Sequence, residues 1–342
     1  MTSERPSPTM ADVALRAGVS HQTVSRVLNA PQTVSLVTRQ RVQEAVTELG
    51  YRRNAVARAL ASGHTRVIGV VVDELAFHGP ARTVVAVAEA ARQAGYVISL
   101  DPQETMSTAN VSAALERQVD RAVEAVVVVS AHGWARIDSS VADITIPVVS
   151  IDGALGGATA TVGVDQRAGA MIATRHLVEL GHRRIAHVAG PSDWPQAQQR
   201  QAAFLEALAA HGLAPGPVLE GDWTARSGHE AMHRAIGQDP SLTAVVVAND
   251  QMAVGAYRAI AQSGRRVPDD VSVVGFDDIP EAGFLGPPLT TVRQDFSALG
   301  TEAVRLVLAA LSGQPCPSRV IPPHLVVRAS TAAPPEAQTA VR

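Results

Sequence analysis

Apolar residues follow two different periods along this chain, and the change falls near residue 65. Before it the spacing is helical. Val13, Ala14 and Ala17 share one side of a short segment, Met10 to Ala17, and Gly18 stands where the chain must turn. Val24, Val27 and Leu28 repeat the spacing in a second segment, which Ser20 opens as an N-cap with Thr23 at its third position. The outward side of that segment carries His21, Gln22, Ser25, Arg26 and Asn29. A third helix is predicted over 38–49, with Val42, Ala45, Val46 and Leu49 inward and Gly50 at its end. Residues 54–61 also have helical spacing (Val56, Ala57, Leu60), although a helix this short is marginal in water by itself.

From Arg66 onward, short β-branched runs alternate with helical stretches. Strands are predicted at 67–73, 97–100, 125–129 and 147–152, with helices over 80–94 and around 111–118. The cycle restarts after 162–165. Strands at 184–190, 218–223, 244–250 and 271–278 then alternate with helices over 169–180, 200–210, 227–236 and 251–262. Continuous apolar strands joined by helices indicate parallel sheets covered on both faces, and two such cycles imply two doubly wound units.

A chain of 342 residues leaves room for two or three domains. No apolar run approaches the ~18 residues of a membrane span, so no membrane association is expected. The single cysteine, Cys316, cannot close an internal disulfide, and no charged-then-apolar leader opens the chain. A cytoplasmic location is expected. Residues 1–62 hold eight arginines against four acids, a net +4, so a chain of net −3 carries −7 over the remainder. A basic head on an acidic body suits a polyanion at one end only. There is no lysine, so every cationic phosphate contact falls to arginine.

Two short helices around a glycine within twenty residues have the geometry of a helix-turn-helix reader of the DNA major groove. The same pattern also fits an amphipathic pair in any small bundle. The outward groups of the second helix are those that hydrogen-bond base edges and phosphates. Elsewhere the chain lacks GxGxxG, a phosphate loop, HExxH and a GxSxG elbow, and its histidines show no metal-ligand spacing. No catalysis, cofactor or metal is expected. In doubly wound sheets ligands bind beyond the carboxyl ends of strands. Asp152, Asn249, Asp250 and Asp277 sit at such ends, where they suit a polyhydroxyl ligand. Trp223 and Phe296 offer flat apolar faces for a sugar ring, and Arg200 a fork of donors. Asn249 and Asp277 have an alternative reading as helix caps, and Trp223 as plain core.

The words ADVA, AGVS and TVSRVLN, in that order, resemble the lactose/galactose repressor family of bacterial transcription regulators, and the resemblance extends to about residue 330. It implies an α/β chain with an all-α helix-turn-helix head over 8–53, a hinge helix over 54–63 and an effector-binding core over 64–330 of periplasmic-binding-protein-like type. The core's first subdomain would span about 64–163 and 293–320, its second about 164–292 and 321–330, with a disordered tail over 331–342. Carried over position by position, the DNA-binding set adds Thr9, Met10, Ser20, Thr23, Thr38, Tyr51, Asn54 and Leu60 to the five outward residues of the second helix. Leu60 matches a leucine that wedges into the minor groove. The family usually has proline where Arg53 stands.

The effector set is Phe77, Pro80, Asp152, Arg200, Trp223, Asn249, Asp277, Gln294 and Phe296. The words EGDW, ANDQMA and RQDF point within the family to a galactoside, whereas the segments near Asp101 and Asp193–Trp194 depart from it. The resemblance implies a repressor of a sugar-utilisation operon that binds a pseudo-palindromic operator as a homodimer. A sugar inducer would release it by separating the two hinges. The tail has prolines and no leucine heptad, so a dimer rather than a tetramer is expected. A same-family regulator with a purine or other corepressor is the alternative.

Overall fold

The computed structural model describes residues 8–52, 59, 63–104, 107–130, 145–153 and 158–335. They form two compact units, divided at Thr65 and Arg66.

The first unit is a three-helix head: α1 (Met10–Ala17), α2 (His21–Asn29) and α3 (Leu36–Leu49), with a 3-10 turn at Pro31–Thr33. Each helix starts on a side-chain cap, Thr9, Ser20 and Ser35. Gly18 and Gly50, both left-handed, close α1 and α3. α3 starts two residues before the predicted Thr38, because Ser35 caps it by accepting from the Thr38 N–H. Val13, Val24, Val27, Val42 and Ala45 are its buried centre, with Leu28, Val46 and Leu49 packed around them. Of the expected hinge segment only Ala59 and Gly63 fall within the described residues, and Arg53 does not.

The second unit carries two six-stranded sheets. The first has β1 (Val67–Asp73), β2 (Val97–Gln103), β3 (Ala125–Val129), β4 (Val148–Ile151), β5 (Ala160–Val164) and β11 (Arg319–Ile321), in the order 11-5-4-3-1-2, all parallel. The second has β6 (Ile185–Ala189), β7 (Val218–Glu220), β8 (Ala244–Val247), β9 (Ser272–Asp277), β10 (Thr290–Arg293) and β12 (His324–Val326), in the order 12-10-9-8-6-7. β12 is antiparallel, and the other pairings are parallel. The helices α4 (His78–Gln93), α5 (Thr108–Asp120), α6 (Gln166–Glu179), α7 (Pro195–Ala210), α8 (Ala225–Gln238), α9 (Asp250–Gln262) and α10 (Phe296–Leu311) cover the sheets. α4 and α10 share a core with Ile68, Val70 and Val72 on one face of the first sheet, while α5 meets Val71, Val126 and Val128 on the other. In the second sheet, α8 and α9 take one face and α6 and α7 the other. This double cover is why the strands read as unbroken apolar runs.

The chain passes between the two subdomains after β5, between β10 and α10, and between β11 and β12. Residues 331–335 correct the expected tail: Ala332 donates to the Ser272 hydroxyl and accepts from His182, and Thr331 meets His176 Nε2 at 2.9 Å. They pack because the end of the second sheet leaves polar groups that this backbone satisfies. Residues 336–342 lie outside the described set.

Candidate functional site

The head presents one polar face. His21, Gln22, Arg26 and Asn29 are exposed along α2, and half-buried Ser25 accepts from the Asn29 amide at 3.2 Å. Ser20 and Thr23 hold the start of the helix, the Thr23 N–H donating to the Ser20 hydroxyl at 3.1 Å. Thr9 caps α1 in a reciprocal box with Asp12, and Met10 packs on the head core. Thr38 accepts from the Ser35 hydroxyl at 2.9 Å, and Tyr51 is half-buried against the core. Asn54 and Leu60 lie outside the described residues.

In the body, all nine residues of the expected effector set line one cleft between the two sheets, with about 580 Å³ of open space. Their convergence follows from chain direction. Phe77 and Pro80 follow β1, Asp152 follows β4, Trp223 follows β7, Asn249 follows β8, Asp277 ends β9 and Gln294 follows β10. Carboxyl ends of parallel strands face the same way, so residues distant in sequence meet.

Arg200 is the hub. It is 5% exposed. Its Nε donates to Gln166 Oε1 at 2.9 Å and its Nη1 to the Ala248 carbonyl, while Nη2 lies 3.9 Å from Asp277 Oδ1. Gln166 Nε2 donates to Gln294 Oε1 at 3.1 Å, and Gln294 Nε2 donates to Asp277 Oδ1 at 2.6 Å. The ring closes through Asp277 back to Arg200. Gln166 carries half of these links. Lying 128 residues from Gln294, it escapes any reading of local motifs. The guanidinium also sits 3.7 Å over the Phe276 ring, a placement favoured by the ring's electron-rich face.

Three carboxyls surround this one cation. Burial pushes Asp152 up to about 6, opposed by the Val164 N–H that its Oδ1 accepts and by Arg200. Burial also raises Asp277, against the pull of Arg200 and His78. Asp250 lies behind the wall, accepting from the Thr291 hydroxyl at 2.6 Å and the Ile279 N–H at 2.9 Å. Burial, and then the like charge of Asp277, push it up to about 8. Carboxyls whose pKa is held up offer hydroxyl donors beside carbonyl acceptors, a mixture that suits neutral hydroxyl groups.

Much of the remaining lining is aromatic. Phe77 meets the Trp194 ring edge-on at 5.6 Å, Trp194 meets Trp223 at 5.3 Å, and His78 meets Phe296 at 5.7 Å. Trp194 was missed among the expected contacts because it stands in a segment that departs from the family words. Asp101, in the other such segment, pairs with Arg117 and Arg121 instead. Gly190 makes room for Trp223, since a Cβ there would stand 2.2 Å from the indole. Asp152, Trp223 and Asp277 all hold positive φ (57°, 71° and 114°), a strained backbone that concentrates at binding sites. The cap reading applies to Asn249, whose Oδ1 accepts from the Met252 N–H, but its amide also faces the cleft wall by donating to the Trp223 carbonyl. Asp277 caps no helix. Buried Trp223 is core and cleft wall at once.

Among the described residues no helix is long and apolar enough to cross a membrane. No group of three metal-ligating side chains occurs among them. Residues 9–54 match the bacterial regulatory proteins of the lacI family, and residues 174–331 match the periplasmic binding protein-like domain. The lactose operon repressor of Escherichia coli (strain K12) is 36% identical over 333 residues, covering 97% of this chain and 92% of that protein. The structure of a lac repressor dimer bound to operator and the anti-inducer ONPF superposes with a TM-score of 0.84 at 34% identity, covering 96% of this chain and 100% of that one. A complex of the transcriptional regulator CelR with cellobiose gives a TM-score of 0.68 at 34% identity, covering 94% and 99%. The chain therefore belongs to the lacI family of bacterial regulatory proteins: it is a DNA-binding transcriptional regulator, not an enzyme.

Proposed function

We propose that this regulator is a homodimeric repressor of a sugar-utilisation operon, released from a pseudo-palindromic operator when a neutral sugar, a galactoside, occupies the cleft. The observation that carries the reading is the ring of Arg200, Gln166, Gln294 and Asp277 beside a cluster of aromatic rings in one cleft. Such a ring offers paired donors and acceptors to vicinal hydroxyls, and the aromatic cluster packs the apolar face of a pyranose. Two further groups support it. Trp223 Nε1 and Gln196 Oε1, on residues that line the cleft, are buried without hydrogen-bond partners, so a small shift of the wall on ligand entry would let a hydroxyl satisfy them.

The galactoside rests on EGDW, ANDQMA and RQDF together with the likeness to the lactose operon repressor. The cellobiose-bound relative supports a sugar but not that stereochemistry. The ligand contacts both subdomains, so it favours the arrangement that fits it best, and that arrangement holds operator less tightly. A coupling of ~1–3 kcal/mol is typical of such linkage.

Trp194 and Trp223 line the cleft and Trp134 lies outside the described residues, so a Trp134→Phe chain reports the cleft by intrinsic fluorescence. Titration with galactosides, cellobiose and purine bases, beside operator gel shifts, tests the reading. Galactosides are expected to change the fluorescence and release DNA. A response to cellobiose alone replaces the galactoside, and a purine that tightens DNA binding replaces induction with corepression.

A further inference from the structure

Three arginines of the head are engaged within the protein. Arg16 pairs with Glu48 at 2.6 Å, tying α1 to α3. Arg41 and Arg39, two residues apart on α3, reach the backbone on either side of α2. Arg41 Nη2 donates to the Ala17 carbonyl at 2.5 Å and lies 3.4 Å from that of Gly18, where α1 ends and the turn into α2 begins. Arg39 Nη2 donates to the Pro31 carbonyl at 2.5 Å and lies 3.4 Å from that of Val34, just past the end of α2.

We propose that Arg39 and Arg41 are positioning residues for DNA recognition: they bracket α2 at both ends and fix its angle on the head, and their effect on DNA is not that of phosphate contacts. The physical case is direct. Ala17 O is among the last carbonyls of a helix, which have no partner inside it and carry the negative end of the helix dipole. A guanidinium there both satisfies the acceptor and meets favourable charge. Gly18 is left-handed at φ 64°, a backbone that favours glycine, and it turns the chain so that the Ala17 and Gly18 carbonyls meet Arg41. α2 buries only Val24 and Val27 in full. With Leu28, which packs on the same core, these anchors lie along one face, so the helix's tilt is set by the segments that enter and leave it, and those are what the two arginines hold. Recognition by base-edge hydrogen bonds needs that orientation, whereas phosphate attraction tolerates its loss.

This inference rests on α2 being the helix that reads bases. The test uses the full-length chain, an operator duplex selected from a random pool by the wild type, and a scrambled duplex of equal length. Binding is measured by fluorescence anisotropy across a salt series. Arg41→Ala and Arg39→Ala are each expected to lower the ratio of operator to scrambled affinity about tenfold, as loss of a charged hydrogen bond would. The slope of log affinity against log salt on the scrambled duplex should stay at the wild-type value. Arg41→Lys keeps the cation and should restore part of the ratio. Circular dichroism and the melting temperature establish that each variant is folded, and a variant that merely loses folded fraction weakens both duplexes equally. A salt slope reduced by about one with an unchanged ratio makes the arginine a phosphate contact and overturns the proposal. An unchanged ratio and slope also overturns it. If the wild type itself prefers no duplex, the reading of α2 fails instead.

Discussion

Arginine does different work in the two units of this protein. In the head, Arg16 and Arg41 are exposed and donate outward-lying bonds to a carboxylate and to carbonyls. In the body, Arg200 is buried among three carboxyls, a glutamine and two aromatic rings. Solvent screens the first kind, so its removal changes orientation more than stability. The second is shielded from solvent by its neighbours, so its removal leaves buried acids unpaired.

The sharpest break of this contrast is Arg200→Ala. Leaving Asp277 and Asp152 without their cation is expected to cost ~3–5 kcal/mol and to abolish the fluorescence response to sugar, as read by urea melts and titration. Arg16→Ala in the head should leave the same melts close to those of the wild type, because its ion pair is exposed and screened. If the two losses match, burial does not distinguish the arginines.

Asp250 sharpens the body's side. Its carboxyl holds a proton up to about pH 8 in the folded chain but releases it near 4 when unfolded. Between those values the folded state binds more protons, so stability falls as pH rises, by at most ~1.4 kcal/mol per pH unit. Asp250→Asn keeps an acceptor for the Ile279 N–H and should reduce the fall in melting temperature between pH 5 and pH 8, most clearly above pH 6 where Asp152 has already ionised. An identical slope in variant and wild type would place the proton elsewhere.

Gly190→Ala drives a methyl into the Trp223 indole. Overpacking of this kind costs ~1–3 kcal/mol, and it should weaken sugar binding by moving the ring. Last, Thr9→Ala removes the capping box of α1 and should cost ~1 kcal/mol in head stability without altering the sugar response.

Much of this frame was legible because the strands announce themselves. VIGVVVD and AVVVV are buried on both faces, so no polar residue interrupts them, and β1 and β3 end where the apolar run ends. Helix starts were less legible. α7 begins at Pro195 rather than Arg200, since proline suits the first turn and Trp194 offers no side-chain cap to mark it. α6 begins at Gln166 rather than 169, capped by Asp165, the residue directly after β5. β10, β11 and β12 have three or four residues each, too few for a period, and only likeness to a family located that region. The site divided similarly. Residues at strand ends were visible, whereas Gln166, Gln196 and Trp194 lie on or at the starts of helices, where only the folded chain brings them to the cleft.

The most direct test is operator release, followed by anisotropy, for the wild type and Arg200→Ala side by side as a galactoside is added. The account predicts that wild-type DNA is released as the sugar saturates while the variant keeps its DNA at every concentration. Release that is equal in the two chains, or absent in the wild type across galactosides, would contradict it.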